Sequence, residues 1–191
     1  EVCCGYLYLR NAPSSRKLQL ESERLVNELY FFDVLRSDRS ISSNGLEART
    51  PFLDKTFVRY YLSIPPELKV FNSKDRIEKH LLRKAFDNGT YLPDDVLWRR
   101  KVAFSDGVSS QKKSWHKIIQ NYVDSKISDE EFFKAKDSFS HCPPLLKESY
   151  YYRKLFESFY PNSEKLIPHF WLPKWSTVID PSARELQNYK E

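Results

Sequence analysis

The chain of 191 residues is 40% hydrophobic and 15% aromatic, which predicts a globular protein with a buried core and excludes a disordered one. Its 31 Lys and Arg residues and 26 Asp and Glu residues leave a modest formal net charge of +5. Acidic residues are interleaved with the basic ones, so the charge pattern does not favour a nucleic-acid-binding arm.

Helical periodicity predicts most of the secondary structure. Leu18, Leu25, Leu29 and Phe32 lie on one face of a helix predicted over 16–36, whose end carries apolar residues on all sides and is expected to be buried. Further helices are predicted over the ranges 53–64, 74–87, 110–126 and 145–160, with a short helical turn from 93 and a capping box over 128–131. No segment has a convincing strand pattern, so we expect a mainly α chain without a sheet of its own.

The cysteine pattern favours a reducing compartment. Cys3, Cys4 and Cys142 are odd in number, and the adjacent pair does not make a disulfide framework. No spacing typical of a zinc site occurs, and the four histidines lack nucleophile partners. No apolar run approaches the roughly 20 residues of a membrane helix. The first residues lack a signal-peptide pattern and the chain contains no Met, so we expect a cytoplasmic segment of a longer protein.

A basic segment, Arg99-Arg100-Lys101, precedes the sequence Phe104-Ser105-Asp106-Gly107. Arginine forks and a lysine point charge suit phosphate binding, and the turn could add backbone N–H donors. The alternative is a solvated basic stretch at the end of a helix, where the helix dipole favours cations. Spacing alone favours this alternative.

Two further pairs of charged residues are candidates for a site. Asp33 and Arg36 lie three residues apart and could position a substrate, although a buried structural ion pair is the interpretation that the sequence favours. Glu47 and Arg49 could line a cleft or simply pair with each other. Asp54 is predicted to cap the helix that follows it.

Six segments, in combination, resemble one enzyme family. They are Gly5-Tyr6-Leu7-Tyr8, Asp33-x-x-Arg36, Gly45-Leu46-Glu47-Ala48-Arg49-Thr50-Pro51-Phe52-Leu53-Asp54, Ile77-Glu78-Lys79-His80-Leu81-Leu82-Arg83, Trp98-Arg99-x-Lys101-x-x-Phe104-Ser105-Asp106-Gly107 and Asp180-Pro181-Ser182-Ala183-Arg184. The order and content of these segments resemble the C-terminal part of the synthetase domain of glutamine-hydrolysing asparagine synthetases of the animal type. The resemblance covers essentially the whole chain, including its tail rich in Pro and Trp.

The resemblance implies the helical C-terminal portion of an α/β synthetase domain of the ATP-pyrophosphatase (adenine nucleotide α-hydrolase) type. Residues 1–191 would form this partial domain, while the parallel sheet, the pyrophosphate loop and the N-terminal glutaminase domain would lie upstream. The implied enzyme is an ATP-dependent ligase of asparagine biosynthesis. It converts aspartate to asparagine through β-aspartyl-AMP, using ATP, Mg²⁺ and ammonia from glutamine.

The segment alone is expected to be inactive, because half of the ATP site is missing. Its implied partners are these small molecules and its own glutaminase domain, with homodimerisation left open and with neither nucleic acid nor membrane. A non-catalytic interaction module, which keeps the synthetase-like helices without the chemistry, is the alternative. An intact or degraded pyrophosphate loop upstream would distinguish the two.

The resemblance assigns roles to four residues of this sequence. Lys101 would be catalytic, contacting phosphates and stabilising the negative charge that grows as the adenylate forms. Asp33 and Arg36 would lie beside the pocket for aspartate and ATP. Glu1 would be the last acid of the family's Ser-Gly-Glu-Gly-Ser-Asp-Glu loop, and no residue is assigned as a metal ligand. The adjacent Cys3-Cys4 departs from the family pattern.

Overall fold

The computed structural model describes residues 3–72, 75–102, 108 and 114–180. Every regular element within these ranges is helical, without a β-strand, which confirms the prediction of a mainly α chain. The described residues divide into two compact units. The first comprises the described residues up to 101 together with 174–176, and the second comprises those from 102 to 173 together with 177–180.

The first unit contains six α-helices joined by irregular segments and three short 3-10 turns. The helices are α1 (Ser15–Asn27), α2 (Asp33–Ser42), α3 (Lys55–Ser63), α4 (Pro66–Lys69), α5 (His80–Ala85) and α6 (Asp94–Leu97). The 3-10 turns are Leu7–Asn11, Leu29–Phe31 and Pro51–Leu53.

Helix α1 begins where the sequence supplies a cap. The Ser14 side chain accepts the Lys17 backbone N–H at 3.2 Å and so satisfies one of the free donors of the first turn. Leu18 and Leu25 face inward, where they join the buried Tyr8 and Phe71 in the core of the unit. Burial of each such side chain is worth about 1.5–3 kcal/mol, so this face fixes α1 in place.

The prediction of a single helix over 16–36 is wrong. The helix ends at Asn27, and a 3-10 turn over Leu29–Phe31 leads to Phe32, whose backbone (φ −123°, ψ −100°) is not helical. A second helix then starts at Asp33. None of the residues 29–42 is buried, so the expected buried end is also wrong. The periodicity of the apolar side chains continues across the break, which is why the pattern did not reveal it.

Helix α5 is shorter than predicted. It spans His80–Ala85 within the predicted range 74–87, of which residue 74 lies outside the described residues. Lys79, directly before the helix, has a left-handed backbone with φ +59°, which stops the helix from extending backwards.

The second unit contains helices α7 (Trp115–Lys126), α8 (Asp129–Ala135) and α9 (Lys147–Phe159), with 3-10 turns at Lys136–Ser138 and Glu164–Leu166. Val123, Ile127 and Tyr150 form its buried core. The Glu131 backbone N–H donates to the Ser128 hydroxyl at 3.1 Å, which confirms the predicted cap. The start of the helix predicted from 110 lies outside the described residues. Among the helices that the structure describes, none has both the length and the apolar character that crossing a bilayer requires.

Candidate functional site

A cleft of about 570 Å³ opens in the first unit, a volume typical of small-molecule sites. Its walls come from the start of the described chain, the beginning of α2, the segment 48–53 and the region around the start of α5. Charged residues of both signs line it, namely Asp33, Asp38, Arg49 and Lys79. Cations attract phosphates and carboxylates, while carboxylates attract ammonium groups, so the lining suits ligands that carry both kinds of charge.

Asp33 and Arg36 form the predicted ion pair, but the pair is not buried. The Arg36 guanidinium donates to Asp33 Oδ1, and the two side chains are 69% and 38% exposed, respectively. The expectation of a buried structural pair is therefore wrong. Asp33 lines the cleft, whereas Arg36 is not among the described residues that do so. The other carboxylate oxygen, Asp33 Oδ2, accepts the Tyr6 hydroxyl at 2.6 Å.

The segment before α3 forms one wall of the cleft. Arg49 pairs with Glu47 at 2.9 Å, and both side chains are largely exposed. Ala48 to Leu53 line the cleft, whereas Glu47 is not among the described residues that do so. Local pairing therefore holds for both charged residues, and cleft lining holds for Arg49. The predicted cap is confirmed, because Asp54 Oδ1 accepts the Phe57 backbone N–H at 2.9 Å. This cap fixes the start of α3 and therefore the end of the cleft wall.

Lys79 is a cleft residue to which sequence analysis gave no role. Its side chain packs against Gly5 so closely that a Cβ atom on Gly5 would lie 2.9 Å from Lys79 Cε. Because glycine has no side chain, position 5 leaves space for the aliphatic part of the Lys79 side chain. The left-handed backbone of Lys79 helps to set this path, and neither feature has a signal in the sequence.

Lys101 is held at its backbone by a buried carboxylate. Its N–H donates to Glu78 Oε1 at 2.8 Å, and Glu78 is only 2% exposed. Arg83 donates to the same carboxylate at 2.8 Å and to the Glu78 carbonyl at 2.9 Å. Glu78 and Lys79 are adjacent in the chain. The first anchors the Lys101 backbone, and the second lines the cleft. Glu78 lies within a segment of the resemblance, but its residue type and spacing gave no signal for this role.

Glu1 lies outside the described residues, and so does the Phe104-Ser105-Asp106-Gly107 sequence that follows Lys101. The proposed phosphate-binding turn is therefore not tested by the structure.

The thiols near the cleft differ in their surroundings. Cys3 lines the cleft, whereas Cys4 is 1% exposed and lies 3.7 Å from the Ser22 hydroxyl. Burial raises the pKa of the Cys4 thiol, which keeps it protonated and a poor nucleophile. Within the described residues, no group of three or more His, Cys, Asp or Glu side chains could hold a metal ion.

Comparisons with known proteins agree with the resemblance. Residues 7–186 match the family model of asparagine synthase. The asparagine synthetase (glutamine-hydrolyzing) of Gallus gallus is 50% identical over 190 residues, which cover 100% of this chain and 34% of that protein. The proteins of the same name from Homo sapiens and Bos taurus are 50% and 48% identical with the same coverage. The chain spans about a third of the length of these curated relatives. It belongs to the asparagine synthase family.

Proposed function

We propose that residues 1–191 are the C-terminal part of the synthetase domain of a glutamine-hydrolysing asparagine synthetase. One observation carries the proposal beyond family membership. One cleft of the first unit is lined by residues from four of the six segments that resemble the family: Gly5, Asp33, 48–53 and the pair Lys79 and Leu82. Segments far apart in sequence thus meet at one concave site, as the parts of a binding site do.

The proposed reaction has two steps. A β-carboxylate oxygen of aspartate attacks the α-phosphorus of ATP, and pyrophosphate leaves, which gives β-aspartyl-AMP. Ammonia then attacks the acyl carbon, and AMP leaves with that carboxylate oxygen, which gives asparagine. The Lys101 ammonium would stabilise the charge that develops on the departing pyrophosphate, because a fixed cation acts most strongly where charge grows. Arg49 and Lys79 would add positive charge along the cleft.

Catalysis in this proposal requires the complete synthetase, meaning residues 1–191 joined to the pyrophosphate loop, the parallel sheet and the N-terminal glutaminase domain. Glutamine would supply the ammonia through that domain. A cytoplasmic location and a homodimeric assembly are also part of the proposal; the three free cysteines agree with a reducing compartment.

Mg²⁺ would accompany ATP, since it binds phosphates together with one or two carboxylates. The described residues do not fit a metal site of their own. No cluster of three or more suitable ligands occurs in the part of the chain that the structure describes. We therefore assign no step to the metal.

An isotope experiment tests the reaction. The complete synthetase is incubated with ATP, glutamine and aspartate labelled with ¹⁸O in its β-carboxylate, and the label is followed by mass spectrometry. We expect one labelled oxygen in AMP for each asparagine formed. Label in inorganic phosphate would instead indicate an acyl phosphate, and an absence of asparagine would favour the non-catalytic interaction module. The same reaction without glutamine but with ammonium salts shows whether the glutaminase domain supplies the nitrogen.

A further inference from the structure

The Tyr6 hydroxyl donates a hydrogen bond to a carboxylate of the cleft, that of Asp33. Its hydroxyl lies 2.6 Å from Asp33 Oδ2, while the Arg36 guanidinium occupies Oδ1. Each oxygen of the carboxylate thus has its own donor. A carboxylate held at both oxygens has a fixed orientation, since rotation about its last bond would break both contacts.

The hydroxyl of Tyr6 is itself presented by a rigid segment. Tyr6 directly precedes the 3-10 turn Leu7–Asn11, and its carbonyl accepts the Leu9 N–H at 3.2 Å. Its ring lies 5.9 Å from that of Tyr8, which is 2% exposed and donates its own hydroxyl to the buried Glu21 at 2.7 Å. The donor is therefore ordered before any ligand binds, which lowers the entropy that binding costs.

The tail of the chain reinforces this anchor within the first unit. Lys174 Nζ lies 2.6 Å from Glu21 Oε2, and the Trp175 ring lies 6.4 Å from the Tyr8 ring. Arg24 also donates to both oxygens of Glu21, at 2.6 and 2.9 Å. Glu21 is 1% exposed, and the cations of Arg24 and Lys174 compensate its charge. Its contacts therefore connect the tail, α1 and the Tyr8 segment.

We propose that Tyr6 is a positioning residue that orients the Asp33 carboxylate toward the ammonium group of the substrate aspartate. The proposal rests on the proposed function. A carboxylate on the cleft wall attracts the ammonium of aspartate and repels the phosphates of ATP, so Asp33 discriminates between the two substrates by charge. Tyr6 is not among the described residues that line the cleft and acts only through Asp33.

The test compares two tyrosines in the complete synthetase. Tyr6→Phe and Tyr8→Phe each remove one hydroxyl that donates to a carboxylate and leave the rings in place. We expect Tyr6→Phe to raise the KM for aspartate about tenfold while the KM for ATP stays within about twofold, because a hydrogen bond to a charged group is lost on the aspartate side alone. Tyr8→Phe should lower the thermal unfolding midpoint and leave both KM values unchanged within about twofold.

A double mutant tests whether Tyr6 acts through Asp33. In the background of Asp33→Asn, Tyr6→Phe should add no further increase in the KM for aspartate, since both changes act through one contact. An unchanged KM for aspartate in Tyr6→Phe, or a parallel rise of both KM values, would overturn the proposal.

A wild-type enzyme without any aspartate-dependent reaction would overturn the proposed function instead. The crystal structure of Tyr6→Phe then decides the positioning role by itself. A rotated Asp33 carboxylate supports that role, and an unmoved carboxylate contradicts it.

Discussion

The backbone N–H of Lys101 and the carboxylate of Glu78 are joined by a 2.8 Å hydrogen bond, and this carboxylate is almost fully buried. The same Glu78 oxygen accepts from Arg83, a side chain that is 14% exposed. The backbone of Lys101 is therefore held by a buried ion pair. Residue 101 can lose its ammonium without losing this anchor, since every residue except proline has the N–H.

Glu78→Gln should destabilise the protein. The amide retains an oxygen that can accept, but the Arg83 charge loses its partner in a mostly buried site, and we expect a loss of about 2–3 kcal/mol in the free energy of unfolding. Urea denaturation followed by tryptophan fluorescence measures it. The matched control is Glu130→Gln, which removes an exposed pair with Lys134 and should change stability by less than about 0.5 kcal/mol. Equal midpoints for the two variants would contradict the importance of the Glu78 anchor.

Glu21 should make the stability depend on acid pH. Burial acts to raise the pKa of this carboxyl, but hydrogen bonds from Arg24, Lys174 and Tyr8 outweigh it and lower the pKa below the usual value of 4.5. A group with a lowered folded pKa stabilises the protein above its unfolded pKa, and this contribution is lost as the pH falls toward the folded pKa. Between about pH 7 and about pH 3, the wild type should therefore lose more stability than Glu21→Gln.

The measurement is the urea midpoint of both proteins across that pH range. The two curves should converge as the pH falls, because acid removes the charge that the variant already lacks. Curves that stay parallel would show that Glu21 does not contribute to the acid sensitivity.

Gly5→Ala should perturb the cleft with little effect on stability. The new methyl group meets Lys79 Cε, the far part of a flexible side chain, so the lysine can move aside and the free energy of unfolding should change by less than about 1 kcal/mol. Moving Lys79 should nevertheless lower kcat/KM for pyrophosphate release by the complete synthetase. In the background of Lys79→Ala, Gly5→Ala should have no further effect on kcat/KM. An additional loss in that background would show that Gly5 acts on something other than Lys79.

Asp54→Ala should cost about 1 kcal/mol of stability, because it removes the acceptor of the Phe57 N–H at the start of α3. Asp54→Asn retains an acceptor oxygen and should stay within about 0.5 kcal/mol of the wild type. Thermal unfolding of the wild type, Asp54→Ala and Asp54→Asn measures the order of their stabilities. Equal losses in both variants would indicate that the charge of Asp54, and not its capping bond, stabilises this end of the helix.

The features that sequence analysis predicted correctly depend on local signals. The caps at Asp54 and Ser128 lie directly before helices and act on backbone groups three residues away. Helix α9 ends just before Tyr160 and Pro161, as the proline implies. The pairing of Asp33 with Arg36 also follows from spacing along one turn of helix.

The features that could not be predicted from the sequence depend on contacts between distant residues or on an unusual backbone conformation. Glu78 is buried, and its carboxylate accepts a hydrogen bond from Lys101, 23 residues away. The place of Lys79 depends on a left-handed backbone and on the empty face of Gly5. The exposure of Asp33 and Arg36 was predicted wrongly because the aromatic residues around them, Tyr30, Phe31 and Phe32, are not buried in a core. The roles of Lys101, Asp33, Arg36 and Glu1 in the reaction remain predictions.

The most direct test of the account is pyrophosphate release by the complete synthetase carrying Lys101→Ala, measured in the presence and absence of aspartate. The matched control is Lys84→Ala, which removes an exposed lysine that pairs with Asp87 and should change turnover by less than about twofold. Because the backbone bond to Glu78 survives, we expect Lys101→Ala to fold normally and to lose about 100-fold or more of its aspartate-dependent turnover. Wild-type turnover in Lys101→Ala would contradict the account.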